Sequence, residues 1–421
     1  MEPSEHLFRH EAGRMVATLT RIFGVHNLGL AEDVVQEAFC RALEIWKFRG
    51  VPENPSAWLM TTAKNRALDV LRRERTARAF APELTRQLES EWTLLPTIEE
   101  EFAAAAVKDD ELRMMFSCCG PRLSEEAQVA LILHILCGFS VDEIASAFVS
   151  SHAAVEKRIT RSKKVLAGSR KLFDISGVED FARRLPAVQR ALYLLFNEGY
   201  HSASQEKAVR VELCHEAIRL TLMLLKNPLG AAPSTYALAA LMSLNAARLP
   251  ARLDVSGNLT ALAEQDRSHF DQSLAEDGLR LLERAATGPE LTDYHVEAAI
   301  AWVHTSAQRT EDTDWATIVS LYDKLIAIRP SPVVALNRAI AIAQRDGPKR
   351  GLDEIHAIQD LERLANYPFY HAALGEFELR KGNHKAAQDH FKLAFSLARN
   401  SMERQFLNQR VNACEQGEGV A

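Results

Sequence analysis

Apolar residues recur every three or four positions along almost the whole chain, and this spacing constrains the fold more than any other feature. It places apolar side chains on one face of an α-helix, whereas the period-two alternation of a half-buried strand is rare. Alanine, leucine, glutamate, arginine and lysine, all good helix formers, fill most other positions. The sequence therefore predicts an all-α protein, and its 421 residues predict two or three domains.

Charge is segregated along the chain, although the formal net charge is only −6. Six basic residues lie between positions 64 and 78, nine acidic residues lie between 83 and 111, and seven basic residues lie between 157 and 171. Clustered basic residues are the electrostatic signature of nucleic-acid binding, which the total charge hides. This order predicts two nucleic-acid-binding segments separated by an acidic linker.

The first basic cluster lies on a helix that follows a proline-rich loop. Residues 30–46 predict a helix with one apolar side. Two prolines and a glycine within residues 50–55 predict a loop. A second helix is predicted over residues 56–75, with Ser56 as its N-cap and basic side chains interleaved with apolar ones.

The second basic cluster lies on the last of three predicted helices. Residues 124–137 predict a helix that Ser124 begins, and a glycine at 138 ends it. A short helix over 141–148, a tight turn over 149–151 and a basic helix over 152–166 follow. Two helices joined by a tight turn, the second strongly basic, are typical of a helix-turn-helix.

More than half of the chain, from about residue 181 to residue 415, predicts a helical bundle or helical repeats. A tetratricopeptide pattern matches near its end, at Leu374, Gly375, Gly382, Ala387, Phe391 and Ala394. A partial second unit lies at Ile318, Tyr322, Leu325 and Pro330. Stacked helical repeats present a concave surface to a protein or peptide, so such a partner is expected for this part of the chain.

Three segments resemble, in the expected order, the motifs of bacterial sigma factors of the extracytoplasmic-function type. Residues 33–39 resemble their core-polymerase-binding motif, residues 55–69 the segment that melts and reads the −10 promoter element, and residues 123–161 the −35-reading region. The remainder, including residues 194–200 and 336–339, looks like the extension of a subgroup with tetratricopeptide-like tails. This resemblance implies a sigma factor that directs promoter-specific transcription initiation and whose extension regulates it in cis.

The resemblance implies four parts. They are sigma region 2 over residues 1–79, an acidic linker over 80–121, sigma region 4 over 122–172 and a helical, tetratricopeptide-like regulatory extension over 180–415. The expected fold is all-α, with two small helical domains that bind DNA and polymerase, the second a helix-turn-helix, followed by a large helical C-terminal domain. The linker has two interpretations, a segment that enters the nucleic-acid channels of polymerase and a solvated connection.

The site residues follow from the positions that match the motifs. Core polymerase binding is predicted for Asp33, Gln36, Glu37 and Arg41. Binding of the −10 element is predicted for Trp58, Lys64, Asn65, Arg66, Arg72, Arg73 and Arg75. Contacts with base edges of the −35 element are predicted for Ser151, His152, Glu156 and Lys157. Contacts with its phosphates are predicted for Arg158, Arg161, Lys163 and Lys164. For Trp58, stacking on an unpaired base and packing in the core stay open as alternatives.

Other chemistry is not indicated. No P-loop, GxSxG or HExxH motif is present, so no enzyme is predicted, and His134 is interpreted as a packed residue. The six cysteines lack CxxC spacing, so neither a metal site nor a cofactor is expected, and adjacent Cys118 and Cys119 are interpreted as incidental. Without a signal peptide or a long apolar run, a cytoplasmic protein with no membrane contact is expected. The expected partners are core RNA polymerase and promoter DNA.

The main alternative is a transcriptional regulator that binds duplex DNA without polymerase, with the helical repeats as its sensor domain. It predicts a stable complex between the chain and DNA alone. It leaves the motif at residues 33–39 and the basic helix after Pro55 unexplained.

Overall fold

The structure, a computed structural model, describes residues 5–78, 107–120, 122–147, 150–168, 178–201, 209–254, 259–398 and 400–416. These residues form eighteen α-helices and no β-strand, with one isolated bridge between Leu253 and Leu259. The all-α prediction is confirmed. By its internal packing the chain divides into two compact units, Met1–Leu195 and Phe196–Ala421.

The first unit contains seven helices and most of an eighth. They are α1 (Glu5–Phe23), α2 (Leu28–Arg49), α3 (Pro55–Arg78), α4 (Val107–Cys118), α5 (Glu125–Ile135), α6 (Val141–Ala147), α7 (His152–Ala167) and α8 (Val178–Tyr200). Helix α1 packs on α2 and α4, α2 packs on α3, and α5 packs on α7. The interior is filled by large side chains from several of these helices and from the connection between α5 and α6, among them Leu19, Leu59, Phe116, Leu131 and Phe139.

Helix α4 lies within the segment that the charge pattern predicts to be an acidic linker, residues 80–121. Met114, Met115 and Phe116 of this helix are fully buried, and Asp110 is only 1% exposed. The Asp110 carboxylate forms an ion pair with Arg21 of α1, with 2.5 Å between Asp110 Oδ1 and Arg21 Nε. Burial raises the pKa of Asp110, and Arg21 opposes this effect. Residues 107–118 are thus part of the packed core, while residues 79–106 lie outside the described part of the chain.

The start of α3 differs slightly from the prediction. Helix α2 ends at Arg49, and the φ of 79° at the following Gly50 suits a residue without a side chain. Helix α3 begins at Pro55, because proline tolerates the first helical position, where its missing N–H is not needed. The capping side chain is therefore Asn54 and not Ser56: its Oδ1 accepts a hydrogen bond from the Ala57 amide at 3.0 Å.

The three helices predicted around the second basic cluster are present as α5, α6 and α7. Ser140 and Glu143 bond reciprocally at the start of α6, a capping box with distances of 2.8 and 3.2 Å. The hydroxyl of Ser151 caps α7 by accepting from the Ala154 amide at 3.3 Å. Val155 and Ile159 are buried, so α7 presents its opposite face to solvent.

The second unit is a succession of packed helices. They are α9 (Val211–Leu225), α10 (Pro233–Ala246), α11 (Gln272–Ala285), α12 (Asp293–Ser306), α13 (Trp315–Ile328), α14 (Pro332–Asp346), α15 (Pro348–His356), α16 (Pro368–Arg380), α17 (His384–Leu397) and α18 (Ser401–Gln416). Helix α10 is buried on almost every side and packs on α9, α11 and α12. From α12 onward each helix packs on the next one along the chain.

The positions of the tetratricopeptide pattern lie in the hairpin of α16 and α17. Leu374, Ala387, Phe391 and Ala394 are buried. A Cβ atom on Gly375 would lie 2.9 Å from the ring of Phe391, so only glycine allows this close approach of the two helices. The packing accounts for the residue types, and the assignment of the segment to tetratricopeptide repeats stays a prediction.

The two adjacent cysteines, Cys118 and Cys119, lie in the interior of the first unit. Cys118 and Cys119 are buried with free thiols. Burial raises the pKa of both, that of Cys119 to about 12, so thiolate chemistry is disfavoured. Within the described ranges, no three His, Cys, Asp or Glu side chains group to hold a metal ion. None of the helices described there is long and apolar enough to cross a membrane.

The contact between α1 and the end of α5 leads to a test. A side chain on Gly13 would collide with the backbone of Leu136, so Gly13→Val should weaken this contact by about 3 kcal/mol, as overpacking does. Amide hydrogen exchange of residues 11–23 and 125–136 would become faster. Gly29→Ala is the matched control, since Gly29 is an exposed helical residue with open space around it, and alanine there should stabilise α2 slightly. Unchanged protection in the Gly13→Val protein would contradict the close contact.

Candidate polymerase and DNA interfaces

Helix α2 presents a polar stripe opposite its buried side. Asp33, Gln36 and Arg41 are exposed, and Glu37 is half-buried. Their spacing of three, four and eight residues places them on neighbouring positions of one helical face. The other face buries Val34, Val35, Ala38, Ala42 and Trp46 against the unit. The four residues predicted to bind core polymerase therefore form one accessible surface.

Glu37 connects this surface to the helix predicted to bind the −10 element. Its Oε2 accepts from Nε of Arg66 on α3 at 2.6 Å, and its Oε1 lies 3.6 Å from Nη2 of Arg41. The pairing holds the Arg66 side chain against α2. Arg66 thus links the surface predicted to bind polymerase to the helix predicted to bind the −10 element. A DNA phosphate that contacts Arg66 would compete with the Glu37 carboxylate.

Helix α3 brings several of the predicted −10-binding residues to the surface. Asn65, Arg72 and Arg73 are exposed, and Lys64 is half-buried. The side chain of Arg75 lies outside the described residues. Trp58 is half-buried and meets the buried Trp46 edge to face, with ring centroids 5.4 Å apart. Part of the Trp58 ring thus supports the core while another part is open to solvent.

Phe48 is an exposed aromatic residue that the motif search did not single out. It lies at the end of α2, beside the loop that precedes α3, and 84% of it is exposed. A signal was present in the sequence: the buried stripe of α2 ends at Trp46, and a residue two positions later falls on another face. Val51 in the same loop is also exposed, so this loop offers apolar contact area next to a basic helix.

The solvent-facing side of α7 carries three of the predicted −35 contacts. Lys157, Arg161 and Lys164 are exposed and lie four and three residues apart, on one helical face. With Glu156 they line a shallow depression on the surface. Ser151 and His152 are exposed at the start of the helix, and the His152 ring lies 3.7 Å from Asp142 and 4.0 Å from Glu156.

The two remaining basic residues of α7 have acidic partners within the unit. Arg158 lies 3.3 Å from Glu126 of α5. Lys163 donates to both carboxylate oxygens of Glu32 on α2, at 2.7 and 2.9 Å. Phosphate contacts by Arg158 and Lys163 stay predictions, and each would require its ion pair to break.

His134 of α5 belongs to the same contact between α2 and α7. Its Nδ1 lies 2.9 Å from the Phe139 carbonyl oxygen, and its Nε2 lies 3.9 Å from Glu32. Burial, and then the nearby Lys163 ammonium, lower the pKa of His134, so the ring is neutral at neutral pH. The half-buried ring packs between the two halves of the unit, as expected for a structural residue.

Comparison with known proteins matches three segments of the chain to family models. Residues 7–77 match sigma-70 region 2, and residues 113–166 match sigma-70 region 4. Residues 184–286 match a family of unknown function, DUF6596. The first match covers almost all of α1 to α3, and the second covers the second half of α4 and helices α5 to α7.

A relative of similar length matches nearly the whole chain. An uncharacterised protein of Rhizobium meliloti (strain 1021) is 38% identical over 401 residues, which cover 94% of this chain and 92% of that protein. No solved structure matches the chain. Regions 2 and 4 of the sigma-70 family are thus present in this chain in order, and a large helical C-terminal part follows them.

Proposed function

We propose that this protein is a sigma factor of the extracytoplasmic-function type whose C-terminal helical part regulates it within the same chain. Region 2 binds core RNA polymerase through α2 and reads the −10 element through α3. Region 4 reads the −35 element through α7. The observation that carries the proposal is the presence of two exposed basic helix faces, on α3 and α7, in modules that match regions 2 and 4.

The loop beside α3 suits the opening of DNA. Phe48 and the exposed part of Trp58 offer aromatic surface, and stacking of a base on such a ring contributes about 1–3 kcal/mol. That gain offsets the few kcal/mol that it costs to unstack and extrude a base. The basic side chains of α3 then hold the phosphates on either side.

The two modules are packed too closely to read both promoter elements at once. A compact unit of this size has a radius of gyration of about 16 Å and is therefore roughly 40 Å across. Elements centred near positions −10 and −35 lie about 25 base pairs apart, which is roughly 85 Å of duplex at 3.4 Å per pair. Promoter binding therefore requires regions 2 and 4 to separate, and the pair of Glu32 and Lys163 to break.

The start of α8 limits where the regulatory part can be removed. Phe181 stacks on Phe116 of α4 with ring centroids 3.9 Å apart, and Arg184 donates to the Phe116 carbonyl oxygen at 3.1 Å. A truncation at residue 172 would remove both contacts from region 4. A chain that ends at His201 retains all of α8.

Run-off transcription tests the proposal. Full-length protein and the chain ending at His201 are each added to bacterial core polymerase on the DNA upstream of this protein's own gene. We expect a defined transcript only when one of the proteins is present, and at least a severalfold difference in yield between them. Circular dichroism checks that the shorter chain is folded.

The outcomes separate the alternatives. Equal yields from both chains would contradict regulation in cis while leaving sigma activity intact. Failure of both chains to bind core polymerase, together with a stable complex between the chain and duplex DNA alone, would favour the polymerase-independent regulator.

The salt dependence of promoter binding tests the exposed face of α7. Lys164→Gln or Arg161→Gln in the holoenzyme should reduce the slope of log affinity against log salt concentration by about 0.9, because one counterion fewer is released. Lys385→Gln is the matched control, since Lys385 is an exposed lysine of α17. An unchanged slope in both α7 variants would remove this face from the DNA interface.

Charge exchange tests the closed arrangement of regions 2 and 4. Cys40 is the exposed one of the six cysteines, so dyes at Cys40 and at an Ala153→Cys substitution report the distance between α2 and α7. Glu32→Lys places two ammonium groups together and should lower energy transfer. The double variant Glu32→Lys/Lys163→Glu restores an opposite pair and should recover it. Equal transfer in all three proteins would show that this ion pair does not hold the modules together.

A further inference from the structure

The second unit contains a cavity of about 780 Å³ that none of the proposed promoter or polymerase contacts uses. Its walls come from the end of α12, from α13, α14, α16, α17 and α18, and from the segment 261–267. Much of the lining is aromatic, from Trp315, Tyr322, Phe391 and Phe406. Its size, and a lining that combines apolar and aromatic side chains with polar and charged ones, suit a site for a small organic molecule.

One wall carries a buried cation that has no carboxylate partner in the described structure. Arg267 is 8% exposed, and its Nη1 donates to the carbonyl oxygens of His304 and Ala307 at 2.7 and 2.8 Å. Its Nη2 donates to Thr313 Oγ1 at 3.1 Å, while its Nε has no partner among the described residues. Burial lowers the pKa of Arg267, yet a guanidinium remains charged at any physiological pH.

Two acidic side chains lie near Arg267 without pairing with it. Glu311 and Asp312 act on it electrostatically, but Asp312 is bonded to Arg309 at 3.1 Å. Behind Arg267, the equally buried Arg248 donates only to the neutral amide oxygen of Gln265, at 3.2 and 3.3 Å. A buried cation is costly unless an anion compensates it, so this end of the cavity attracts negative charge.

His304 lines the same end and adds a neutral hydrogen-bonding group. It is 8% exposed, its ring meets Trp315 edge to face at 5.4 Å, and its Nδ1 has no partner among the described residues. Burial, followed by Arg248 and Arg267, lowers its pKa to about 3, so the ring does not share the positive charge at neutral pH. Two buried polar atoms, on Arg267 and His304, thus lack protein partners beside an aromatic wall.

The remaining charged groups of the lining leave one positive charge in excess. Arg410 of α18 is paired with Glu264 and lies over the Phe406 ring. Arg380 donates only to the neutral Gln344 amide, at 3.3 Å, and has no ion pair within the described chain. Glu376 supplies the second carboxylate of the lining. Three guanidinium groups therefore face two carboxylates.

We propose that this cavity binds a small organic molecule with one anionic group and an aromatic body. Arg267 and Arg380 supply the positive charge that compensates the anion, and Trp315 with the neighbouring aromatic residues packs on the body. A small molecule is favoured over a peptide because the unpaired charge of Arg267 is buried and because the Arg410–Glu264 pair joins distant segments at the lining. The site itself does not depend on the proposed sigma activity.

Ligand binding would connect separate parts of the second unit. The cavity is lined by the end of α12, by α13 and α14, and by α16 to α18. A molecule that contacts all of them stabilises this unit, and the stabilisation grows with the logarithm of its concentration once that concentration exceeds the dissociation constant. If the C-terminal part regulates transcription in cis, this is how a metabolite signal would enter the chain.

Two fluorescent probes that differ by one negative charge test the site in the full-length protein. They are 8-anilinonaphthalene-1-sulfonate and its uncharged analogue N-phenyl-1-naphthylamine. We expect one saturable site for the anion and about tenfold weaker binding of the neutral probe, the effect of one charged contact. Arg380→Gln should weaken the anionic probe about fivefold to tenfold and leave the neutral probe unchanged. Trp315→Leu should weaken both probes.

Two further measurements make the result specific. Arg363→Gln, at an exposed arginine that does not line the cavity, is the matched control and should change neither affinity. Arg267→Gln should abolish the preference for the anion; if it unfolds the chain, as circular dichroism would show, Arg380→Gln carries the test. Equal affinity for both probes, or no saturable binding of the anionic probe, would overturn the proposal. The acidic segment 83–101 of this chain, as a synthetic peptide, is the competing ligand. If this peptide displaced the anionic probe at a submicromolar peptide concentration, the proposal would be overturned and the cavity would be assigned to a peptide.

Discussion

The ion pair between Glu32 and Lys163 joins the helix that faces polymerase in our proposal to the helix that reads DNA. Around it, His134 fills the gap between α2 and α7, and Gly13 lets α1 approach the end of α5. The buried pair of Arg21 and Asp110 fixes α4 to α1 on another side. Regions 2 and 4 are held as one body by these contacts, and the proposed initiation step must separate them.

Breaking such a pair is energetically feasible. Partly exposed ion pairs typically contribute about 0–1 kcal/mol, because water and salt compete for both partners. Arg66 and Arg158 are held by similar pairs, with Glu37 and Glu126. A DNA backbone presents many phosphates, so it can replace several of these intramolecular carboxylates together. Of the three pairs, only that of Lys163 and Glu32 joins regions 2 and 4, whereas Arg66 is paired within region 2 and Arg158 within region 4. In our proposal, DNA phosphates replace the carboxylate partners of all three basic side chains.

In the second unit, buried arginines occupy the ends of helices. Arg267 donates to carbonyl oxygens at and just beyond the end of α12, where backbone acceptors lack helical partners and the helix dipole is negative. This explains part of its role, but not the unpartnered Nε or the lack of a carboxylate in ion-pair distance among the described residues. The short acid–base sequence Asp266–Arg267 does not form a pair, because Asp266 caps the following turn and bonds His269.

The sequence by itself determined the helices and their buried faces. The spacing of apolar residues predicted α2, α5 and α7, and the exposed positions of Lys157, Arg161 and Lys164 follow from the same periodicity. Tertiary structure decided which charged side chains face solvent and which are held by a partner from another helix. Whether Lys163 faces solvent depends on a glutamate 131 residues away, and whether Asp110 lies in a linker or in the core depends on Arg21. Periodicity arises from neighbours along one helix, whereas the partner of a charge is set by packing between helices that are distant in the chain.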